Sequence, residues 1–517
     1  MKAKTYIFAL AALCAASPLF ATEDKTVIGG TGNYQTRVSI PSGDYNVILQ
    51  SGGSNTEGDM FKGNGASITS LDASGTPGES SHADGPKWNL TGNLSIDVKS
   101  AANATAFTNG TNKLAWNIGI LTISNSLATA DTFTNVNLGS TFRMTVNNTA
   151  TEKSAIIINT NTNLSGSTLT FASGTNGGLT VNSGKIVNST LGNIYVSAAN
   201  KITLQSDSAL NLSGDSYVTL YNTAAISIAQ GATLNMYGFA MNNDSSISSA
   251  GSLNLRGTNP ISVRNLTLSG GTLPAQNMSS GTYARLSFLG TSVLNNATAN
   301  ILGGFEAKSG ATVTIGSEMG DINLYDNIGS DTQTYEGRVF LNGGGTLVLN
   351  KTNAFTRVTT GGTKGTANLL IVGTGNTLEV NAANKFKLLY FSGNGSVNIK
   401  LSDNLANTLF FNNFSVYASS SGTPSYVLNF DNFQDNMIFF AMTKTNTEKL
   451  FETLTSVTAT TIDGETLSGA DDFMFVEGTY SDGTTGVWLN AAVVPEPAEW
   501  AAILGALALF FAAKRRK

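Results

Sequence analysis

One short phrase recurs along most of this chain: a glycine or small polar residue, then apolar–polar–apolar. It reads GGLTVNSG, NKITLQS, SALNLSG, GATLNMYG, GSLNLRG, NLTLSGGTL, GATVTIGS, GGGTLVLN, GNTLEVN and GSVNIKLS between Thr31 and Pro424. Strict alternation over four or five residues is the mark of a strand with one buried and one exposed face. It predicts that Leu234 and Met236 point inward while Thr233 and Asn235 point outward. Leu253 and Leu255, Val313 and Ile315, Leu378 and Val380, and Val397 and Ile399 are inward pairs on the same rule. No long stretch of 3.6-residue periodicity interrupts this region.

The spacing narrows the fold further. Leu210, Leu234 and Leu253 follow each other at 24 and 19 residues, Leu378 and Val397 lie 19 apart, and other steps run to 31 or 34. Units of about 20 residues, each with short strands and Gly, Asn or Ser turns, suit a β-solenoid in which every coil stacks on the last. A single coil cannot bury its apolar face; stacking joins the faces into a continuous column with coils about 4.8 Å apart. Roughly 16–20 coils would give a body about 75–95 Å long. Turn asparagines tolerate left-handed backbone and are expected to ladder between coils. A row of β-sandwich domains is the rival architecture, but neither linkers nor domain-length repeats are visible.

After Tyr426 the texture changes. NTEKLFETLTSV sets Leu450, Phe451, Leu454 and Val457 on one helical face, with Asn446 or Thr447 as the cap. TIDGETL and FMFVEGTYSDGTTGVWL read as strands joined by Asp-Gly turns. Residues 426–492 are therefore expected to form a small α+β cap over the last coil, whose strand edges would otherwise pair with other chains.

Both ends of the chain carry membrane signals. MKAKTYIFALAALCAASPLFATEDK has Lys2 and Lys4, an apolar run from Tyr6 to Ala16, and a cleavage point after Ala21. That is the layout of a secretory signal peptide; the run is short for a permanent anchor. Lipidation at Cys14 is not expected, because Leu13 stands where a small residue is needed. At the other end, Trp500 to Ala513 is continuously apolar. As a helix it would span roughly 21 Å, against a bilayer core of about 30 Å. Trp500 suits the interface, and Lys514, Arg515, Arg516 and Lys517 can snorkel to headgroups and stay cytoplasmic. Pro495 and Pro497 hold the preceding peptide extended.

Composition removes much of the enzyme catalogue. Only 12% of the 517 residues are charged, against about 25% in typical globular chains. Without the two lysines of the signal peptide and the four terminal cations, 23 basic residues stand against 34 acidic ones, so the exported part is acidic and does not suit nucleic acid. The one cysteine leaves with the signal peptide, and the one histidine, His82, sits in the loop GTPGESSHADGP. Disulfides, thiolate chemistry and most imidazole-dependent hydrolytic or metal sites are thereby excluded.

The richest acidic stretch is SEMGDINLYDNIGSDTQTYEGR, with Glu318, Asp321, Asp326, Asp331, Glu336 and Arg338. As a calcium loop starting at Asp321 it fails, with Asp326 where glycine is needed and Thr332 at position twelve instead of glutamate. The nonapeptide pattern of calcium-binding β-rolls is missing too. Asp471-Asp472 and DNFQDN offer no better grouping. Gly63-Asn64-Gly65 and Gly373-Thr374-Gly375 lack the strand–loop–helix setting of a phosphate loop and read as turns. The NLT triplets at Asn89 and Asn265 are expected by chance in so Asn- and Thr-rich a chain. No catalytic residue, metal ligand or cofactor is assigned.

Two resemblances add to this reading. GGGTLVLNKTNAFT, Gly343 to Thr356, resembles an autotransporter-associated β-strand repeat, although no membrane β-barrel follows it. The closing segment resembles the PEP-CTERM sorting signal: the motif Pro495, Glu496, Pro497, then the short apolar helix, then the basic stop. That resemblance implies a Gram-negative source making extracellular polysaccharide. It also implies processing near the motif by an exosortase, a membrane-embedded cysteine transpeptidase, with transient residence in the inner membrane. A plain membrane anchor would not need the Pro-Glu-Pro triplet.

The whole is expected to be all-β. Residues 1–21 form a signal peptide, 22–425 a β-solenoid wound as a right-handed parallel β-helix, 426–492 an α+β cap and 493–517 the sorting signal with its transmembrane helix. The expected role is structural or adhesive, at the cell surface or in the extracellular matrix, among polysaccharide or other surface proteins. The alternative is a secreted polysaccharide-active enzyme or carbohydrate-binding protein on the same scaffold. An aromatic groove with convergent carboxylates would favour that alternative; a uniform Ser/Thr/Asn surface would favour the first.

Overall fold

The computed structural model describes residues 38–492, apart from 41–43, 49–60, 74–86, 99–104, 110–112, 118, 130, 146–153, 174–176, 243, 258–260, 278–283, 329–333 and 418–423. Ala21, His82, the Pro495-Glu496-Pro497 motif, Trp500, Ala513 and the basic stop Lys514, Arg515, Arg516 and Lys517 lie outside the described residues. No helix among the described residues is long and apolar enough to cross a membrane.

Strands pair in parallel with the strand three places further along the chain, so each coil has three faces. In one coil the strands are Gly178–Val181, Ile186–Ser189 and Asn193–Ser197. The next coil lays Lys201–Leu204, Ala209–Leu212 and Tyr217–Tyr221 directly on them. We call these the first, second and third faces in that order. On the first face the ladder passes from Gly119–Asn125 through Ser154–Ile158 and Thr312–Ile315 to Thr346–Leu349 and beyond. This coil-on-coil parallel stacking is the arrangement of a β-solenoid.

The alternation in sequence is the cause. Leu234, Met236, Leu253, Leu255, Val313, Ile315, Leu378, Val380, Val397 and Ile399 are all buried. Leu210 stacks on Leu234 and Leu234 on Leu253. The irregular spacing is absorbed in loops: Val313 stacks on Leu347 and Leu347 on Leu378. One expected step differs. Leu378 faces Ile399, and Val397 lies opposite Asn376, because the register slips at the glycine-rich corner from Val372 to Asn376. Each fully buried Leu or Ile in these columns contributes about 1.5–3 kcal/mol of transfer free energy.

Asparagine acts in two ways. One ladder runs along outward strand positions on the second face: Asn135, Asn163, Asn188, Asn211, Asn235 and Asn254. Asn235 donates to Asn211 at 2.6 Å and Asn254 to Asn235 at 2.5 Å. The strand repeat holds successive amides one coil apart, which lets each side chain bond the next. Turn asparagines also bond from coil to coil, Asn182 to Asn159 and Asn381 to Asn350, and asparagines near the corners clamp backbone. Asn376 accepts from the amides of Gly344 and Gly345 at 3.1 and 3.2 Å, and Asn384 from Ala354 at 2.8 Å. Asn222, Asn265, Asn296 and Asn353 take positive φ. Corners are as tight as the stacking demands: a Cβ on Gly271, at φ +70°, would meet the Gly251 carbonyl oxygen at 2.0 Å.

Stacking continues past the change in texture at Tyr426, through Tyr426–Phe433 on Leu388–Leu401 and Ser456–Thr461 on Tyr426–Phe433. The interior turns aromatic here. Phe386, Phe411 and Phe440 stack at 6.0 and 5.7 Å. The single α-helix among the described residues, Lys444–Phe451, is capped by Thr443, with Asn446 and Thr447 inside it. Val457 belongs to the following strand, Ser456–Thr461. Phe451 packs against Phe414, Phe440 and Phe475. A hairpin of Phe473–Thr479 and Thr485–Ala491 then adds antiparallel strands to Ile438–Phe440 and ends that sheet.

Candidate functional site

The acidic stretch picked out in the sequence is drawn into ion pairs. Asp326, at the end of the second-face strand Ile322–Tyr325, has a side chain only 1% exposed. It accepts from Arg357 Nε at 2.8 Å and Nη2 at 2.7 Å, and from the Gly337 amide at 2.8 Å. Arg357 sits on the strand of the next coil, Phe355–Val358, opposite Leu324. Its Nη1 reaches Glu336 at 2.7 Å. Glu336 also takes Lys387 Nζ at 3.2 Å and Asn368 Nδ2 at 2.6 Å.

The charges follow from this geometry. Asp326 is the main reason the Arg357 guanidinium is held above its ordinary range, with burial opposing. Burial pushes the Glu336 carboxyl up, but hydrogen bonds from Lys387 and Asn368 and the nearby cations outweigh it, and the group ends below its usual value.

A third carboxylate, Glu306, was not singled out by the sequence. It is 1% exposed on the third-face strand Gly304–Ala307 and takes Arg285 at 2.8 Å, Ser287 at 2.5 Å and Asn342 at 2.9 Å. Arg285 lies over the Phe340 ring, 4.7 Å from its centroid. The only signal was negative: GFEA has glutamate where other phrases carry Ser, Thr or Asn. The cavity between Arg285, Arg338, Glu336 and Phe340 has a volume of about 20 Å³, room for a single water molecule. Asp326, Glu336 and Glu306 are thus each bound to cations or amide donors.

The remaining residues scatter. Glu318 and Asp321 are exposed, Asp321 lying 3.7 Å from Lys364 in a solvent-exposed pair, and Asp331 is outside the described residues. Asp472 accepts from the Ser468 amide at 2.6 Å. Asp431 accepts from Asn398 and Asp435 from the Ala491 amide. Asn265 is built into a turn, its Oδ1 taking the Thr291 amide. Gly373 and Gly375 are positive-φ corner residues, whereas Gly63 lies within the strand Phe61–Ala73, opposite Gly92 of the next. Among the described residues, no three His, Cys, Asp or Glu side chains gather as a metal site would require.

A roomy concavity lies beside this ion cluster, on the second face. It is a groove of about 740 Å³, lined by Pro274, Asn300, Leu302, Tyr325, Val358 and Thr359 among others. Its floor is the strands Thr272–Asn277, Thr298–Leu302 and Ile322–Tyr325, and the antiparallel hairpin of Phe355–Val358 with Lys364–Thr366 rises at one side. Tyr325 is 38% exposed. The sequence trace of this groove is one residue: GTLPAQN has proline where GSLNLRG has the ladder asparagine. No protein-family model, curated protein or solved structure matches this chain.

Proposed function

We propose that this is an exported, exosortase-processed protein of the cell surface or extracellular matrix, with a structural or adhesive role. The observation that carries the reading is the three-part ending: Pro495-Glu496-Pro497, the apolar run Trp500 to Ala513, and Lys514 to Lys517. The signal-peptide layout ending at Ala21 supports it from the other end. A body of stacked coils also suits the role, since it makes a long, rigid surface of Ser, Thr and Asn without disulfides. Right-handed winding is taken from the strong preference of parallel crossovers for that hand. In this reading 22–425 is the solenoid body, 426–492 closes its end, and 493–517 holds the chain in the inner membrane until processing. The role is non-enzymatic, needs no cofactor or metal, and engages surface polysaccharide or other surface proteins, not nucleic acid.

The physical argument for processing at the motif is accessibility. An extended, proline-stiffened peptide can enter a membrane-level active site without a helix having to unfold first. The decisive measurement is the intact mass of the extracellular form. Cleavage should place the new C-terminus between Val494 and Ala498 and remove Trp500 to Lys517. Replacing Pro495, Glu496 and Pro497 by alanine should leave export intact and strand the full chain in the inner membrane. Lys517 still present on the wild-type surface protein would refute the proposal.

A further inference from the structure

We infer that the groove on the second face is a binding site for a neutral oligosaccharide. The inference starts from a break in the asparagine ladder. Asn254 donates to Asn235, so its own Oδ1 is the acceptor offered to the next coil. The next coil has Pro274 at that position, as the pairing of Leu255 with Ala275 fixes. One coil further, Pro274 lies opposite Asn300, and the ladder resumes with Asn323 donating to Asn300 Oδ1 at 3.0 Å. Proline has neither a side-chain donor nor an acceptor. Among the described residues, the Asn254 carbonyl and the Asn300 amide therefore have no ladder partner across the gap. They lie two coils apart, about 10 Å.

The break coincides with a large groove, and the lining has the chemistry of a sugar site. Pro274, Leu302, Val358 and the exposed Tyr325 ring offer apolar faces, while Asn300, Asn327, Thr359 and Thr360 offer amides and hydroxyls. Sugar rings present the matching pair, C–H faces and closely spaced hydroxyls, and a tyrosine supplies both an apolar body and a polar tip. The volume of about 740 Å³ lies within the range of small-molecule sites.

Charge narrows the class to neutral sugars. The carboxylate of Asp326 at the groove margin is turned into Arg357 and the Gly337 amide, and Arg357 is in turn held by Glu336. Asp326 is the one charged side chain among the lining residues, so the lining holds no unpaired charge to recognise a uronate or a sulfate. A peptide fits less well. The floor strand Thr298–Leu302 is already paired on both sides, so an incoming chain finds no free backbone edge on the floor to extend. This inference does not depend on export or on processing, because binding is read with purified protein.

The test uses the purified full chain on an array of neutral gluco-, manno-, galacto- and N-acetylglucosamine oligomers beside uronate and sulfated oligomers. Isothermal titration then follows with the best binder. At least one neutral oligomer should bind, with Tyr325→Ala and Asn300→Ala each weakening it tenfold or more. Pro274→Asn supplies the missing ladder member and removes the apolar ring. It should abolish binding while the circular dichroism and melting temperature stay at or above wild type, which separates loss of the site from loss of the fold. No neutral oligomer bound, a preference for the acidic oligomers, or unchanged affinity in Tyr325→Ala and Asn300→Ala would each overturn the inference.

Discussion

Leu255→Asp tests the inward assignment on which the whole stack rests. Leu255 is fully buried, stacked between Met236 of the coil before and Ala275 of the coil after. Removing its side chain from the column forfeits about 1.5–3 kcal/mol of transfer free energy. The carboxyl group that replaces it finds no donor in an aliphatic column, and an unpaired polar group there costs roughly a further 2–7 kcal/mol. The expected loss is therefore at least about 3.5 kcal/mol, concentrated in the coils on either side. Asn254→Asp is the matched control on the same strand, since Asn254 points outward and would lose only its ladder bond to Asn235, about 0.5–1.5 kcal/mol. Stacked repeats need not unfold in one step, so a single melting curve is not sufficient. Urea unfolding by far-UV circular dichroism should be joined by amide hydrogen exchange resolved over residues 233–277. Exchange there should rise sharply in Leu255→Asp and little in Asn254→Asp. A Leu255→Asp protein within about 1 kcal/mol of the Asn254→Asp control would refute the stacking argument.

Other outcomes follow from the same geometry. Asp326→Asn leaves Arg357 with Glu336 as its only carboxylate and should destabilise by about 3 kcal/mol, at the low end for breaking a buried pair, measured by urea unfolding. Glu336 has a lowered carboxyl pKa, so its stabilising effect is present above the unfolded value of 4.5 and fades as the pH falls through its lower folded value. The melting temperatures of wild type and Glu336→Gln should accordingly differ at pH 7 and converge on acidification. Thr443→Ala removes the cap of the helix Lys444–Phe451 and should cost about 1 kcal/mol by the same unfolding assay.

The alternation in phrases such as TLNM and SLNL carried most of the fold, because period two admits one buried face and length of repeat then requires stacking. What it did not carry was register across irregular corners: the slip between Val372 and Asn376 falls where Gly373 lies opposite Gly395 of the next coil, a backbone feature that no side-chain pattern reports. The ladder asparagines were legible as outward residues, yet only the stacked structure shows Asn211, Asn235 and Asn254 bonded in file. Glu306 and Arg285 come from different coils, and the groove depends on one proline falling beneath Asn254. Contacts between coils depend on register, so a linear reading finds the members and misses the meeting.

The way the described structure ends bears on how the chain can be cut. The final strand, Thr485–Ala491, pairs with Ile438–Phe440 on one side and Phe473–Thr479 on the other. Its last residues are tied down individually: the Ala491 amide donates to Asp435 at 2.8 Å and the Ala492 amide to the Asp472 carbonyl at 2.8 Å. Trp488 of this strand packs on Phe439 at 4.8 Å, beside Tyr480, whose ring also carries the Lys385 ammonium at 4.7 Å. Lys385 is held there by Asp482 at 2.6 Å. Every one of these contacts lies before Val493, so removing residues 493–517 leaves all of them in place. A chain stopped after Ala492 should melt with the full chain. One stopped after Thr484 should melt earlier and self-associate, because it bares Phe439 and the edge of Ile438–Phe440. Differential scanning calorimetry with light scattering reads both effects. A large drop in melting temperature for the chain ending at Ala492 would mean that 493–517 supports the fold, and cutting at Pro495-Glu496-Pro497 could not then be a harmless last step of export.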